Sequence, residues 1–448
     1  MITKFKVLFL LAFVPLVFNA QELPERVSLQ EAITYGRENN RQILNADREI
    51  QRAYKERWSV IAIGLPQINA NASYQNFIEL PTSLIPAQFF GGKEGEFAEV
   101  QFGTPQNMVA GATLSQLIFD GSYIIGLEAS KVYLSISENI LEKTVLEIRK
   151  NIVSTYSSIL LIQENIKFLE KNRDNLVANL AEIQALFRNG FGEEESVEQL
   201  RLTLSGIETQ LRYAQNTEKI TLNMLKLLMG FPTEAPLQLS DSLDSLTTQG
   251  LFEEKIEAKP NLESNIDIKI ATNNLKSESL LFKYEKSKSL PQLTAFLNGN
   301  YTGNSETFSF IESNQKWFGA ALFGINLNVP IFSSLKRSAD TQKAKIAVDQ
   351  ARTSLEETQE RINIEVQAAQ NDYSLAVETY FTNKENLALA SRIEQKNQSK
   401  YFEGLASSLE LRQAQLQLFS AQNSYLSSIQ NVIQKKLNLE TLLNTSEQ

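Results

Sequence analysis

The 448 residues of the sequence include neither cysteine nor histidine. Without thiols the chain forms no disulfides, so its compartment has to be inferred from other features. Without thiolates and imidazoles it also lacks the usual ligands of zinc, copper and haem, and the side chains that most often act as nucleophile or general base. We therefore expect no metal, no cofactor, no catalytic residue and no enzymatic activity.

A basic cluster is lacking too, and the formal net charge is −9. A protein that binds nucleic acid normally concentrates lysine and arginine on one face, so we expect no nucleic-acid partner. The sequence also contains neither a glycine-rich phosphate loop nor a nucleophile elbow, which argues against two further classes of enzyme.

The N-terminus has the pattern of a secretory signal peptide, residues 1–20. Lys4 and Lys6 precede an apolar run, residues 7–17, and the small residue Ala20 stands at the expected cleavage point. The alternative is an N-terminal membrane anchor, but the apolar run is short for a membrane span. We interpret the mature chain as exported from the cytoplasm.

Charge is also missing locally, because four segments contain no Asp, Glu, Lys or Arg. In the first segment, residues 60–78, amide and serine side chains alternate with apolar ones from Gln67 to Gln75, which is the period of a β-strand. Asn, Gln, Gly and Pro are too frequent for membrane helices, whereas transmembrane β-strands need only about 9–11 alternating residues. The four segments are residues 60–78, 100–119, 289–305 and 317–335.

We interpret the amide face of these strands as facing a water-filled lumen and the apolar face as facing lipid. The alternative is a soluble β-sandwich with one solvent-exposed face, but such a face normally carries Lys and Glu. Aromatic residues near the strand ends, Trp317 and Tyr74 among them, are typical of interfacial girdles. The expected lipid-facing residues are Ile68, Trp317, Phe323, Ile325 and Leu327.

Two very long helices are predicted between the strands, and each returns through a shorter helix. Apolar residues recur at spacings of three and four from Leu141 to Phe187, with Arg173 as the one polar occupant, which indicates a coiled-coil seam. A helix over 122–188 would be roughly 100 Å long. The second half repeats the order helix, two strands, long helix and return helix.

The predicted organisation is therefore an internal duplication separated by an acidic linker. It comprises a signal peptide 1–20; a first repeat 21–230 with a helix, a β-hairpin 65–119 and a coiled-coil pair 122–229; a linker or equatorial segment 231–260; and a second repeat 261–448 with a helix, a β-hairpin 290–330 and a coiled-coil pair 335–443.

The helix breaks of the two repeats align without gaps, and Gly190 pairs with Gly404. A glycine that closes a long helix suits the left-handed C′ position. Two such caps at matched positions predict paired helical tips with a shared role.

Four strands cannot close a barrel, since the smallest outer-membrane barrels have about eight strands. An open sheet edge in lipid would leave backbone groups unsatisfied. We therefore expect copies of the chain to pool their strands, and three-fold symmetry would give twelve.

These elements together resemble the TolC-type outer-membrane efflux protein family. The resemblance rests on the duplicated LPQ strand entries at Leu65 and Leu290, the paired hairpins, and the tips FRNGFGEEESVEQ and YFEGLASSLELRQ. It implies an α+β fold whose homotrimer forms a 12-stranded β-barrel and an α-helical barrel. The location implied is the outer membrane of a Gram-negative bacterium, with a long periplasmic extension.

The resemblance also implies partners and site residues. Members of the family take substrates from an inner-membrane pump, of RND or ABC type, through a periplasmic membrane-fusion adaptor. The adaptor-docking residues implied are Asn189, Gly190, Phe191, Glu403, Gly404 and Leu405. The periplasmic gate implied comprises Tyr401 as a latch, Glu410 in an acidic ring, and Gln413, which replaces a second acid of the family.

Two alternatives to a tripartite efflux channel remain open. The same duct could serve a type I protein secretion system. From a different class, the chain could be a periplasmic coiled-coil scaffold or adaptor, although the uncharged alternating segments argue against it.

Overall fold

The computed structural model describes residues 25–243, 245 and 263–443, so the predicted signal peptide and much of the predicted linker lie outside it. Helix is the dominant secondary structure. The two longest helices have 68 and 67 residues, and each is followed after a short break by a helix of 36 residues, as predicted. The helices are α1 Leu29–Asn39, α2 Arg41–Ile63, α3 Gly121–Arg188, α4 Glu194–Met229, α5 Ile266–Ser287, α6 Lys336–Phe402 and α7 Ser408–Leu443.

The strands form one four-stranded sheet and two small pairs. The order in the large sheet is β2-β5-β7-β8, with every neighbouring pair antiparallel. β1 pairs with β6 in parallel, and β3 pairs with β4 in an antiparallel ribbon. The strands are β1 Arg26–Val27, β2 Gln67–Asn76, β3 Thr82–Pro86, β4 Phe97–Gln101, β5 Gln106–Asp120, β6 Gln238–Leu239, β7 Gln292–Ser305 and β8 Trp317–Asn328.

Side-chain caps explain where several helices begin. The Asp120 carboxylate accepts hydrogen bonds from the backbone N–H of Ser122 and Tyr123, which satisfies free donors of the first turn of α3. Ser28 and Glu31 form the capping box expected at the start of α1, with Ser28 N and Oγ each 2.8 Å from the Glu31 carboxylate.

The structure corrects the single helix predicted before the first β-hairpin. That segment forms two helices, because Asn40 interrupts it as the N-cap of α2. The Asn40 side chain accepts from the backbone N–H of Gln42 and Ile43 at 2.8 and 3.1 Å. Asn265 caps α5 in the same way, at 3.0 and 3.3 Å from two backbone nitrogens.

Two further predictions need correction. The first hairpin, 65–119, was predicted with two strands, but the connection between them also contains the β3–β4 ribbon and a short 3-10 helix over Ala87–Phe90. Arg173 does not occupy the coiled-coil seam: it is partly exposed and pairs with Asp174 at 2.7 Å. The buried side chain at that point is Asn172.

The chain forms two compact units, each drawing on both predicted repeats. Of the described residues, the first unit comprises 25–39, 151–243, 245 and 383–430, and the second comprises 40–150, 263–382 and 431–443. Within the residues described, no helix combines the length and hydropathy needed to cross a membrane.

The first unit is organised around coiled-coil packing and one buried tyrosine. The Tyr156 hydroxyl lies 3.0 Å from the Val27 carbonyl oxygen and 2.9 Å from the Asp241 carboxylate, which also accepts from the backbone N–H of Leu29. Burial raises the pKa of Tyr156, so the hydroxyl stays protonated and available as a donor. The packed apolar residues of α3 and α4 are Leu169, Leu176, Ile183, Val197, Leu200, Ile207, Leu211 and Ala214.

The second unit contains the four-stranded sheet together with neighbouring helices. Ion pairs join α3 to α5: Lys269 Nζ lies 2.7 Å from the Glu142 carboxylate, and Lys143 Nζ lies 3.0 Å from that of Asp267. These pairs are part-exposed, so each contributes little stability in water, and they act mainly to align the two helices.

Candidate functional site

The register of the large sheet gathers apolar side chains on one face. Ile68 lies opposite Leu114, Leu114 opposite Leu297, and Leu297 opposite Phe323, so one row of apolar side chains crosses all four strands. Cross-strand partners project to the same side. All five residues predicted to face lipid therefore share this apolar face; Ile68, Phe323, Ile325 and Leu327 are mostly exposed, and Trp317 is half-buried.

The opposite face, called here the amide face, is held by hydrogen bonds between neutral side chains. Asn107 donates to the Asn304 side chain at 2.8 Å, and Asn298 donates to the Thr113 hydroxyl at 2.7 Å. No charged residue lies between Gln67 and Asn76 or along β7 and β8. Such a face is hydrated without attracting ions of either sign.

Aromatic rings cluster at the end of the sheet where β2 ends and β8 begins, called here the loop end. Tyr74 contacts Phe308 and Phe310 with ring centroids 5.7 and 5.9 Å apart, and Phe310 contacts Trp317 at 6.2 Å. Tyr74 and Trp317 belong to the apolar face. A ring cluster at the end of an apolar strand face is the arrangement expected at a membrane–water interface.

The two tips, residues 186–197 and 400–411, have the same backbone geometry. Gly190 has φ +79° and Gly404 has φ +73°, so both predicted left-handed caps are confirmed. At the first tip, Gly190 N–H donates to the Phe187 carbonyl and Phe191 N–H to that of Leu186, at 3.0 and 2.9 Å. This pair of bonds is the Schellman motif.

The second tip repeats the motif with different side chains. Gly404 N–H donates to the Tyr401 carbonyl and Leu405 N–H to that of Lys400, at 3.0 and 2.7 Å. The residue after each glycine is a large apolar side chain that remains exposed, 83% for Phe191 and 73% for Leu405. No atom lies within 4 Å of where a Cβ at either glycine would be.

Glu410, predicted to belong to an acidic ring, has a local partner in the structure. Its carboxylate accepts from Ser407 N–H at 2.7 Å and from the Ser407 hydroxyl at 3.0 Å, and its own N–H donates to that hydroxyl. These hydrogen bonds, the backbone one first, lower the pKa of Glu410. The spacing S-x-x-E is the sequence signal of this capping box.

The other two predicted gate residues differ in burial. Gln413 is exposed on α7. Tyr401 packs its ring against the apolar cluster of α3 and α4 and lines a cavity of ≈ 20 Å³ that Ile183 and Gln415 also line. Burial, followed by the charges of Glu193 and Glu182, raises the pKa of Tyr401. Among the described residues its hydroxyl has no hydrogen-bond partner.

Polar residues inside the coiled coil were missed by the sequence analysis. Asn172 donates to Gln422 at 2.8 Å, and Gln398 donates to Asn179 at 2.9 Å, where Asn179 Nδ2 is buried without an acceptor. Glu394 is also nearly buried, which raises its pKa. The signal was available, since Asn172 and Asn179 continue the three-four spacing of Leu169, Leu176 and Ile183.

Comparison with known proteins identifies relatives of the chain. Residues 260–445 match the model of the outer membrane efflux protein family. Outer membrane protein TolC of Vibrio cholerae serotype O1 is 21% identical over 357 residues, which cover 78% of this chain and 75% of that protein. The matched family and relative are described as outer-membrane proteins and not as enzymes.

Solved structures share the fold at low sequence identity. The chain is similar to CusC with a TM-score of 0.74 and 18% identity, covering 93% of this chain and 92% of that one. It is similar to the Campylobacter jejuni CmeC outer membrane channel with a TM-score of 0.73 and 18% identity, covering 94% and 87%. The open state of Neisseria gonorrhoeae MtrE matches with a TM-score of 0.65 at 16% identity, covering 93% and 88%.

These findings confirm the helix-rich α+β fold and the outer-membrane location that the sequence predicts. The family match over residues 260–445 and the similarity to the curated TolC protein confirm the resemblance to the TolC-type outer-membrane efflux protein family that the sequence predicts.

Proposed function

We propose that three copies of the chain form a channel through the outer membrane. The observation that carries this proposal is the open sheet: β2 and β8 are edge strands without a partner among the described residues, yet one face of the sheet is apolar across its middle on all four strands. Unpaired edges in lipid are costly because no water satisfies their backbone groups. Three copies of the four strands give twelve, which is enough for a closed barrel.

In this assembly the apolar face meets lipid and the amide face lines the lumen. Ile68, Phe323 and Ile325 then contact acyl chains, while Trp317 and Tyr74 lie at the interface. A neutral lumen selects weakly among solutes, which suits an exit duct. The long helices form the periplasmic α-helical barrel that continues this lumen.

Internal duplication of the chain is part of the proposal. It is supported by the matched caps Asn40 and Asn265 and by the matched Schellman motifs at Gly190 and Gly404. A duplicated protomer supplies six similar helical tips to a trimer, in two chemically different sets of three.

We place the docking of a periplasmic adaptor at these tips, with substrates delivered by an inner-membrane pump. Phe191 and Leu405 are exposed apolar side chains next to a rigid turn, which is the chemistry of a protein contact. Asn189, Glu403 and the two glycines complete the docking surface. Gln413 and Glu410, both exposed, then lie close to the mouth that the tips surround.

We propose that the packing of side chains, and not charge, keeps the periplasmic mouth of the channel closed. Three copies of Glu410 repel one another and attract cations, so another contact must hold the mouth shut. The Tyr401 ring, which packs between the tip helices, is the best candidate.

Native mass spectrometry of the protein extracted from outer membranes in mild detergent tests the proposal, together with conductance in planar bilayers. We expect a trimer that conducts ions. A conducting monomer would contradict the pooling of strands, and a protein released from membranes by salt washing would favour a periplasmic scaffold instead.

A further inference from the structure

The amide face has one apolar region that a neutral lumen does not account for. Phe318 and Leu322 lie on this face of β8, on the same side as Asn326, and their side chains are 61% and 58% exposed. Phe296 of β7 lies on the same face, but its ring packs directly over Gly324. A Cβ atom at Gly324 would collide with the ring. Phe318 and Leu322 therefore form an uncovered apolar patch, called here the edge patch.

A second uncovered apolar surface lies on the ribbon that connects β2 to β5. In the ribbon, Leu84 lies opposite Glu99 and Pro86 opposite Phe97, so these side chains project to one side. Leu84 and Phe97 are each 63% exposed. The other side of the ribbon, with Ile85, Ala98 and Val100, is half-buried. The exposed side with Leu84, Pro86 and Phe97 is called here the ribbon face.

The strand order brings these two surfaces together when copies associate. β2 and β8 are the two edges of the sheet, so closing a barrel pairs β8 of one protomer with β2 of the next. In an alternating antiparallel sheet this new pair is antiparallel as well. The loop end of β2, Asn76, then lies beside Trp317 and Phe318 of the neighbour, and the ribbon begins six residues later, at Thr82.

We propose that the ribbon face of each protomer covers the edge patch of the next protomer, inside the loop end of the lumen. This inference rests on the trimer proposed above. Its occupant is a second copy of the chain, because the two apolar surfaces lie on the same interface that pairs the edge strands. Glu99 lies opposite Leu84 on the ribbon face, and the side chains of β7 that flank the patch, Thr302 and Asn298, are neutral, so no acidic residue repels its carboxylate there.

The consequence is a constricted exit. Three ribbons reach inward from the loop end and cover three patches, so the opening is narrower than the barrel itself. Each ribbon also bridges the seam between two protomers, which strengthens the one strand pair that no covalent chain connects.

Engineered disulfides test this contact cleanly because the chain has no cysteine. The variant Leu84→Cys/Leu322→Cys is oxidised in isolated outer membranes and run on a non-reducing gel, and native mass in mild detergent is measured in parallel. We expect covalent dimers and trimers that disappear with reductant. Phe97→Cys/Phe318→Cys serves as a second pair in case the first variant does not assemble.

The matched control is Leu84→Cys/Phe323→Cys, since Phe323 lies on the same strand but on the apolar face. It is expected to remain monomeric on the gel. A trimer by native mass without cross-links in either test pair overturns the ribbon contact and leaves the trimer standing. A disulfide formed within one chain also overturns it. Absence of any trimer overturns both proposals.

Discussion

Along β8, the apolar side chains of Trp317, Phe323 and Ile325 alternate with Ala320 and Asn326, which lie on the opposite face of the sheet. The two tips, in contrast, share little sequence besides a glycine. In the sheet the side chains decide which way each residue faces, because a shift of one residue would move every apolar group to the amide face. At the tips the backbone is what recurs. Gly190 and Gly404 have φ values within a few degrees of each other, while the residues around them differ.

The difference indicates two kinds of tolerance to substitution. The sheet should accept any change that keeps polarity on the correct face. The tips should accept changes of side chain but not the loss of the left-handed glycine.

The largest effect is expected from a charge on the apolar face of the sheet. An arginine on the lipid face of a barrel costs about 2–4 kcal/mol per site near mid-bilayer, and a trimer carries three copies. Ile325→Arg should therefore greatly reduce assembled protein in outer-membrane fractions. Asn326→Arg, one residue away on the amide face, should be tolerated better. Equal loss in both variants would show that the assignment of the faces is wrong.

The next largest effect is expected at the tip glycines. A side chain in the left-handed region costs about 1–2 kcal/mol, and a bulky one would also block the proposed docking surface. Gly404→Trp should abolish export while the trimer remains in the membrane, as judged by a substrate accumulation assay and native mass. Gly206→Trp is the matched control, since Gly206 lies in α4 with open space around it and no positive φ.

Export at the wild-type level with tryptophan at both Gly190 and Gly404 would remove the docking role. Gly404→Asn adds a milder test, because asparagine tolerates the left-handed region. It should retain much of the export that tryptophan abolishes.

Much of the fold could be predicted because two periodicities dominate the sequence. The period of two located β2, β5, β7 and β8, and the three-four spacing located α3, since each pattern extends over many residues. The repeated order of elements then located α6. The glycine caps were also predictable, because a left-handed residue must follow a helix that ends abruptly.

Other features depended on contacts between distant residues or on short signals. The β3–β4 ribbon was missed because Gly91, Gly92 and Gly95 suggested an irregular loop, and its pairing spans only a few residues. Asn172 was overlooked in favour of Arg173 although it continues the three-four spacing, because its buried amide depends on a partner, Gln422, that lies on a distant helix. Asn40 was missed because a single cap cannot be distinguished from an ordinary polar residue inside a helix.

At the second tip, Glu410 combines an observed capping box with a proposed place in an acidic ring. Glu410→Gln removes the charge but keeps an acceptor for Ser407, whereas Ser407→Ala breaks the capping box and keeps the charge. If the charge contributes to an acidic ring, Glu410→Gln should weaken the cation selectivity of the channel and Ser407→Ala should not. Unchanged selectivity in Glu410→Gln would place the ring elsewhere, with Glu193 to Glu195 as the next residues to test.

The capping box also predicts a pH dependence. Hydrogen bonds from Ser407 lower the pKa of Glu410 in the folded state, so its contribution to stability is complete above the ordinary carboxyl pKa of 4.5 and is lost as the pH falls through the lowered value. Thermal melts between pH 3 and 7 should therefore show a smaller acid destabilisation for Glu410→Gln than for the wild type. If the wild type and Glu410→Gln lost the same amount of melting temperature between pH 7 and pH 3, the capping box would not survive in the assembled channel.

The smallest effect is expected from removing only the Tyr401 hydroxyl. Its ring packs against Ile183 and the rest of the apolar cluster, while the hydroxyl has no hydrogen-bond partner among the described residues. Tyr401→Phe should therefore leave both the melting temperature and the resting conductance close to wild type. Tyr401→Ala removes the ring that packs between the tip helices, so it should lower the melting temperature and raise the resting conductance.

If Tyr401→Phe alone opened the channel as much as Tyr401→Ala, the hydroxyl would have to bond to a neighbouring protomer. The mouth would then be held shut by a polar contact between chains and not by packing within one tip.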